Sequence, residues 1–391
     1  MPAATPLPRG PSVLTLYSAA DLLTAPGCPV CRYTAEAADR YLGWFALEGH
    51  GDPTMITVMC ASLGMCAQHT RRLMSQPGAA ARLTAVYPYV LTAARELLSS
   101  RVAAVQPCPA CQRDDVANRS ALETLLDGLS EEEIRSRCRD LGGVCLPHLS
   151  GAIAIGPRHV AEWLARTVQE TLEASPAVPA WLAGADPDAE ARAVLRQALP
   201  IGETPVRGTC TACLATARAE RDSLASLLAH SPDDSDLAAV LCSTHLADAA
   251  FAAPGARQLG ALLGWQAASL AALPGRRRHR RAPGCPVCRA VGLAENDALA
   301  GSGRPAARAG HRSPLCLRHY VAVRAADKRA ALTLAPGMAD AADLLISELA
   351  EAFERSTAAR RQGVPVPHSA AWQRAAAFLD GGAFGGLPPP R

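Results

Sequence analysis

The chain has 391 residues, enough at ~150 residues per domain for roughly two to three domains, and too many for a small scaffold that must be stapled to fold. Apolar residues make up 49% but aromatics only 4%, so a core must be assembled from Ala and Leu, a composition that favours helix over strand. The formal charge of +3 exerts no strong pull towards nucleic acid or membrane. Lys328 is the single lysine, which excludes a Walker A loop and leaves any lysine Schiff base to that residue.

Residues 1–20 read as an N-terminal tail. They carry Arg9 but no uninterrupted apolar stretch and no credible cleavage site, so no secretory signal is expected. The most apolar run, Leu259 to Leu273, is broken by Gln266 and is shorter than the ~20 residues a spanning helix needs. No membrane segment is therefore expected, and a cytoplasmic location is. In that reducing compartment, metal binding is a better default than disulfides for 14 cysteines.

Twelve of those cysteines fall into one pattern repeated four times, a C-x2-C pair followed by a C-x2-H pair. The first copy, in a module at 21–104, has Cys28, Cys31, Cys66 and His69; the second, at 105–176, has Cys108, Cys111, Cys145 and His148. After a Pro- and Gly-containing linker at 177–206 come a third module at 207–276, with Cys210, Cys213, Cys242 and His245, and a fourth at 277–362, with Cys285, Cys288, Cys316 and His319. Residues 363–391, with glycines from Gly381 to Gly386, read as a C-terminal tail. Three thiolates and one imidazole make a complete tetrahedral set for Zn2+, so each copy is expected to close one site of its own, four per chain. An iron–sulfur cluster on the same ligands is the alternative.

The spacing also orders the copies. The second ligand precedes the third by 35 and 34 positions in the first two copies (31 to 66, 111 to 145), and by 29 and 28 in the last two (213 to 242, 288 to 316). This suggests two halves of two modules each. Between the ligand pairs, Tyr33 to Leu47, Gln112 to Leu126, Leu214 to Ala229 and Ala290 to Ala300 show helical periodicity. Past each His comes a Pro/Gly break (Pro77-Gly78, Gly156-Pro157, Pro254-Gly255, Pro336-Gly337) and then a second amphipathic run. Those runs are marked by Val86, Val90, Ala94 and Leu97; Val160, Trp163, Leu164 and Val168; Leu259, Leu262 and Leu263; and Leu345, Leu349 and Phe353. The fold class expected is all-α, a tandem array of four helical modules, each clipped by a Cys3His metal site. The helical inter-pair segments leave little room for the hairpin of a treble-clef module.

This arrangement resembles uncharacterised bacterial helical proteins with CPxC…CxxH modules and, more distantly, Cys3His zinc modules in general. The likeness covers roughly residues 20–360 and implies zinc on the twelve Cys and four His named above. It implies no reaction.

Four protein ligands close a zinc site, which favours a structural role over catalysis. The leading reading is a zinc-binding, non-enzymatic repeat protein whose modules form a surface for another macromolecule, with a protein as the expected partner. Two alternatives remain: a nucleic-acid-binding regulator using the basic run Arg276 to Arg281, and a redox or cluster enzyme using the same ligands with iron. Twelve thiolates and four divalent ions would take the formal charge from +3 to −1, which weakens the nucleic-acid reading. Cys60 and Cys138 fall outside the pattern and read as buried structural thiols, and His50, His159, His230, His279, His311 and His368 share no spacing.

Overall fold

The computed structural model describes residues 12–99, 105–174, 180–184, 210–229, 241–252, 256–271, 285–302, 315–362 and 370–380. Among them every regular element is a helix, as the Ala- and Leu-rich composition requires. The chain divides into two compact units. One gathers Met1–Ala37, Asp114–Glu190 and Leu224–Pro286, and the other Ala38–Arg113, Ala191–Ser223 and Val287–Arg391. Both units therefore draw on modules one to four, and neither corresponds to a run of consecutive modules.

In the first unit α1 (Val13–Leu22) docks through Ala19 and Leu22. Its first turn is capped by Ser12, whose hydroxyl accepts from the Thr15 N–H at 3.1 Å. At the other end Arg32 donates to the Leu22 carbonyl, one that the helix C-terminus leaves open, and to that of Ala25 just beyond it. This segment had read as a tail, yet α1 packs on α7 (Glu132–Asp140). The unit's larger contacts join α8 (Leu146–Ile155), α9 (Arg158–Ala174) and α12 (Ala256–Ala271). Val160, Leu164 and Val168 of the apolar stripe of α9 are buried, as their spacing predicts, whereas Trp163 is half-buried. A short 3-10 turn, Ala180–Ala183, lies inside the stretch read as a linker; it buries Leu182 and Ala183 and packs on α8 and α12.

The second unit is built around α5 (Ala79–Ser99) and α15 (Lys328–Gln362), its most extensive helix pair. Leu83, Val86, Tyr87, Val90, Leu91 and Ala94 of α5 meet Met338, Leu345, Leu349 and Ala352 of α15 in one core. Phe353, expected on that buried stripe, is 50% exposed. Two charged contacts flank this core: Arg95 reaches Asp343 at 2.7 Å, and Arg324 donates to the Leu97 carbonyl at 2.6 Å.

Proline behaves differently from expectation here. The sequence predicts a break at Pro336-Gly337, but α15 runs through it, as α5 runs through Pro88. A mid-helix proline costs ~3 kcal/mol, and burial of Ala330 and Ala331 before Pro336 and of Met338 and Ala342 after it offsets that cost. By length and composition Lys328–Ala359 is apolar enough to cross a membrane, which the sequence reading had not expected of any segment. Here that helix supplies the buried face packed on α5. The Pro77-Gly78 and Gly156-Pro157 breaks do end helices, whereas Pro254-Gly255 lies outside the described residues.

The segment taken as a C-terminal tail contains α16 (Ala371–Asp380), which buries Trp372, Ala375, Ala376 and Leu379 at helical spacing against α5, α14 (Leu317–Ala326) and α15.

Candidate metal centres

Each C-x2-C pair opens a helix. Cys28, Cys108, Cys210 and Cys285 immediately precede α2 (Pro29–Leu47), α6 (Pro109–Gly128), α10 (Thr211–Ala229) and α13 (Pro286–Ser302). The carbonyls of Cys28, Cys108 and Cys210 accept the first intrahelical hydrogen bond, from Arg32, Gln112 and Leu214, at 3.0–3.2 Å. The cysteine is thus the N-cap and its partner lies in the first turn. The following Pro, or Thr211 in copy three, occupies the first helical position, where a missing N–H costs nothing.

The C-x2-H pairs repeat this construction. Cys66, Cys145 and Cys316 have extended N-cap dihedrals at the starts of α4 (Ala67–Leu73), α8 and α14, and Cys242 precedes α11 (Ser243–Ala252). The His follows in the first turn. The residue before each cysteine, apolar throughout, is buried: Met65, Val144, Leu241 and Leu315. In copy three the buried Gln266 amide fixes that plug by accepting from the Leu241 N–H at 3.2 Å and donating to its carbonyl at 3.3 Å, so the residue that interrupts the apolar run has a structural partner.

In copies one and two the chain enters this N-cap through a pair of left-handed residues, Leu63-Gly64 and Gly142-Gly143. The Gly64 N–H returns to the Met59 carbonyl at 2.7 Å, and the Gly143 N–H to that of Cys138 at 2.8 Å. These are the six-to-one bonds of a Schellman C-cap. They terminate α3 (Pro53–Ala61) and α7.

All sixteen ligand positions assemble into four Cys3His sets, but the sets are not those of the individual copies. Cys28 and Cys31 meet Cys145 and His148; Cys108 and Cys111 meet Cys66 and His69; Cys210 and Cys213 meet Cys316 and His319; Cys285 and Cys288 meet Cys242 and His245. Copies one and two therefore exchange ligand pairs reciprocally, as do copies three and four. This corrects the expectation that each copy closes its own site. A helix rises 1.5 Å per residue, and in copy two the amide of Asn118, ten positions along from Cys108, touches His148. The copy's own C-x2-H pair thus lies beside the middle of α6 and not at its first turn.

Within the sets the donor atoms converge. The Sγ atoms of Cys31 and Cys145 are 3.6 Å apart, those of Cys66 and Cys111 3.7 Å, and those of Cys213 and Cys316 3.8 Å. In each set His presents Nδ1: His148 at 3.0–3.4 Å from its three sulfurs, His319 at 3.1–3.3 Å, His69 at 3.2–3.7 Å, and His245 at 3.2 and 3.3 Å from Cys242 and Cys285. The Nε2 atoms face outward. That of His148 lies 2.9 Å from the Asn118 amide, and that of His319 lies 3.2 Å from the Glu295 carboxylate.

The thiols of a set do not share charge evenly: Cys145 is pushed well above the ordinary range by burial and then by hydrogen bonds with Cys28 and Cys31. Burial alone would lower His148 and His319, but hydrogen bonds and charge from the surrounding thiolates raise both to about 10. Burial opposes ionisation of Cys28, yet hydrogen bonds from Cys145, Cys31 and His148 hold its thiolate well below the ordinary range. Hydrogen bonds from Cys111 and Cys66 do the same for Cys108. Two helix N-termini pointing at each set favour the negative charge further.

The leftover thiols differ from the ligands. Cys138 is fully buried and is pushed up to about 12 by desolvation and then by the charge of Cys28. Cys60 is half-buried and raised by desolvation and then Glu96. They sit in α3 and α7 one register apart: Cys138 carries the carbonyl that accepts the Schellman bond, the place Met59 holds in copy one, and Cys60 follows Met59. His50 bonds the Phe45 carbonyl at 3.3 Å, and His159 is exposed. Arg276 to Arg281, His230, His279, His311 and His368 lie outside the described residues. Comparison with protein-family models, curated proteins and solved structures found no match for this chain.

Proposed function

We propose that this protein is a zinc-organised helical scaffold, with four structural Cys3His sites shaping a surface that binds another protein. One observation carries the reading: every set supplies four protein donors, leaving no position for water or substrate, as structural zinc requires and catalytic zinc does not. The donor spacing supports a single ion at each site. With Zn–S near ~2.3 Å and Zn–N near ~2.0 Å, a tetrahedron has edges of about 3.5–3.8 Å, close to the sulfur–sulfur separations of 3.6–3.8 Å. A multi-iron cluster distributes its cysteines over several metal atoms.

The need for metal follows from the core. Ala and Leu bury modest area per residue, whereas structural zinc contributes on the order of 10 kcal/mol at neutral pH. A reducing compartment, the cytoplasm, suits thiols committed to metal. A protein partner is favoured by α1, which leaves Val13, Leu14 and Tyr17 68%, 78% and 69% exposed on one helix, an apolar cluster of the kind interaction sites present.

Metal analysis of protein purified without oxygen tests the reading directly. About four zinc ions per chain in colourless protein is the expected result, with loss of helical circular dichroism on full chelation. Several irons with broad visible absorption would replace it with the cluster reading, and unchanged helicity after complete metal removal would refute the structural role.

A further inference from the structure

Asn118 and Glu295 each touch the outward nitrogen of a ligand histidine, from the same place in the repeat. Asn118 lies ten positions after Cys108, and Glu295 ten positions after Cys285. They sit at corresponding points of α6 and α13, and each meets the His of its own copy: Asn118 at 2.9 Å from Nε2 of His148, Glu295 at 3.2 Å from Nε2 of His319. Both histidines are buried, and both turn Nδ1 to the sulfurs. Copy three carries Glu220 and copy one Ala38 at this register.

We infer that Asn118 and Glu295 are positioning residues for the metal centres, fixing their histidines as Nδ1 ligands by accepting the Nε2 proton. The inference rests on the metal reading above. An imidazole binds metal through one nitrogen only when the other carries the proton, and an acceptor at that second nitrogen locks both tautomer and ring orientation. The Glu295 carboxylate accepts directly. The Asn118 amide nitrogen stands at the contact point, and a half-turn of the amide places its oxygen there instead. Because α6 and α13 begin with a C-x2-C pair, each helix ligates an ion with its first turn and orients the histidine of a different ion from its middle. The two contacts differ in kind: a carboxylate makes the imidazole more electron-rich than an amide does, so the Glu295-supported centre should hold its ion more tightly than the same centre with a neutral acceptor.

The test uses the full metal-loaded chain and three variants, E295A, E295Q and N118A. Transfer of zinc to a chromophoric chelator is followed together with the imidazole Nε2–H signals in 15N-resolved NMR. In E295A one of four zinc equivalents should transfer about 10–100-fold more readily, and the His319 Nε2–H should exchange rapidly with water. E295Q, which keeps an acceptor oxygen, should restore the protected proton and much of the retention, an outcome that loss of helix packing would not produce. N118A should produce at His148 the losses that E295A produces at His319. Unchanged release of all four equivalents with unchanged Nε2–H protection would overturn the inference while leaving the metal reading intact. A wild-type chain that binds no zinc under these conditions would overturn the metal reading itself.

Discussion

Cys138 and Cys31 show how far two cysteines of one protein can diverge. Cys138 is sealed in α7, and burial together with the neighbouring Cys28 charge moves its pKa to about 12. The reactive form of a thiol is the thiolate, so Cys138 should resist alkylation at pH 8 in the native protein, as mass-mapped labelling can show. Cys31 instead meets Cys145 at 3.6 Å. Its exchange partnership is testable by counting metal: replacing Cys31 and Cys145 together should abolish one site and leave three zinc ions per chain. Replacing Cys31 and Cys66 should disable two sites and leave two. Sites closed within single copies would give the reverse.

The ligand histidines carry a pH signature. In the metal-free sets, thiolates hold His148 and His319 protonated up to about 10, above the ordinary imidazole value of about 6.5. At neutral pH an incoming ion must therefore displace that proton as well as those of any thiols still protonated. Binding should release protons and tighten as pH rises, weakening on acidification as protons compete for the same donors. Calorimetric titration of zinc in buffers of different ionisation enthalpy measures this release; equal heats in all buffers would contradict it.

At the scale of elements, the sixteen ligand positions were legible because each sits in the first turn of a helix or at its cap, where spacing of three is fixed by local geometry. The inter-pair helices were legible from their apolar period. The helices α1 and α16 were missed although Ala19 and Leu22, and Trp372, Ala375, Ala376 and Leu379, are buried. Both are short and lie beside Pro- and Gly-rich sequence, so the period runs out before it outweighs its flanks. Their packing makes sharp predictions. Trp372→Ala should destabilise the second unit by ~3–5 kcal/mol, read as a lower denaturant midpoint. A side chain at Gly128 would come within 2.5 Å of Ala19 Cβ, so Gly128→Ala should push α1 from its seat at a cost of ~1–3 kcal/mol. Faster hydrogen exchange confined to α1 would report that displacement.

On the scale of the whole molecule, reciprocal exchange makes a pair of copies the smallest set that can complete its sites. A chain cut to copy one alone retains Cys28, Cys31, Cys66 and His69 yet lacks the Cys145–His148 and Cys108–Cys111 pairs that complete the two sites. Copy one alone should therefore bind zinc weakly, as zinc titration of that fragment measures.

The sequence by itself determined the class of fold, the ligand inventory and the helix starts, because composition, short-range periodicity and capping act within a few residues of chain. Which pairs share an ion was decided only in three dimensions. A 19-residue helix such as α2 carries the chain about 28 Å away from its first ligands, and no local rule records where the returning pair finds its partners. The same holds for Asn118 and Glu295, whose meaning lies in the nitrogen each one touches. Their shared register was present in the sequence, but only the packing of each helix against its own C-x2-H pair revealed what it positions.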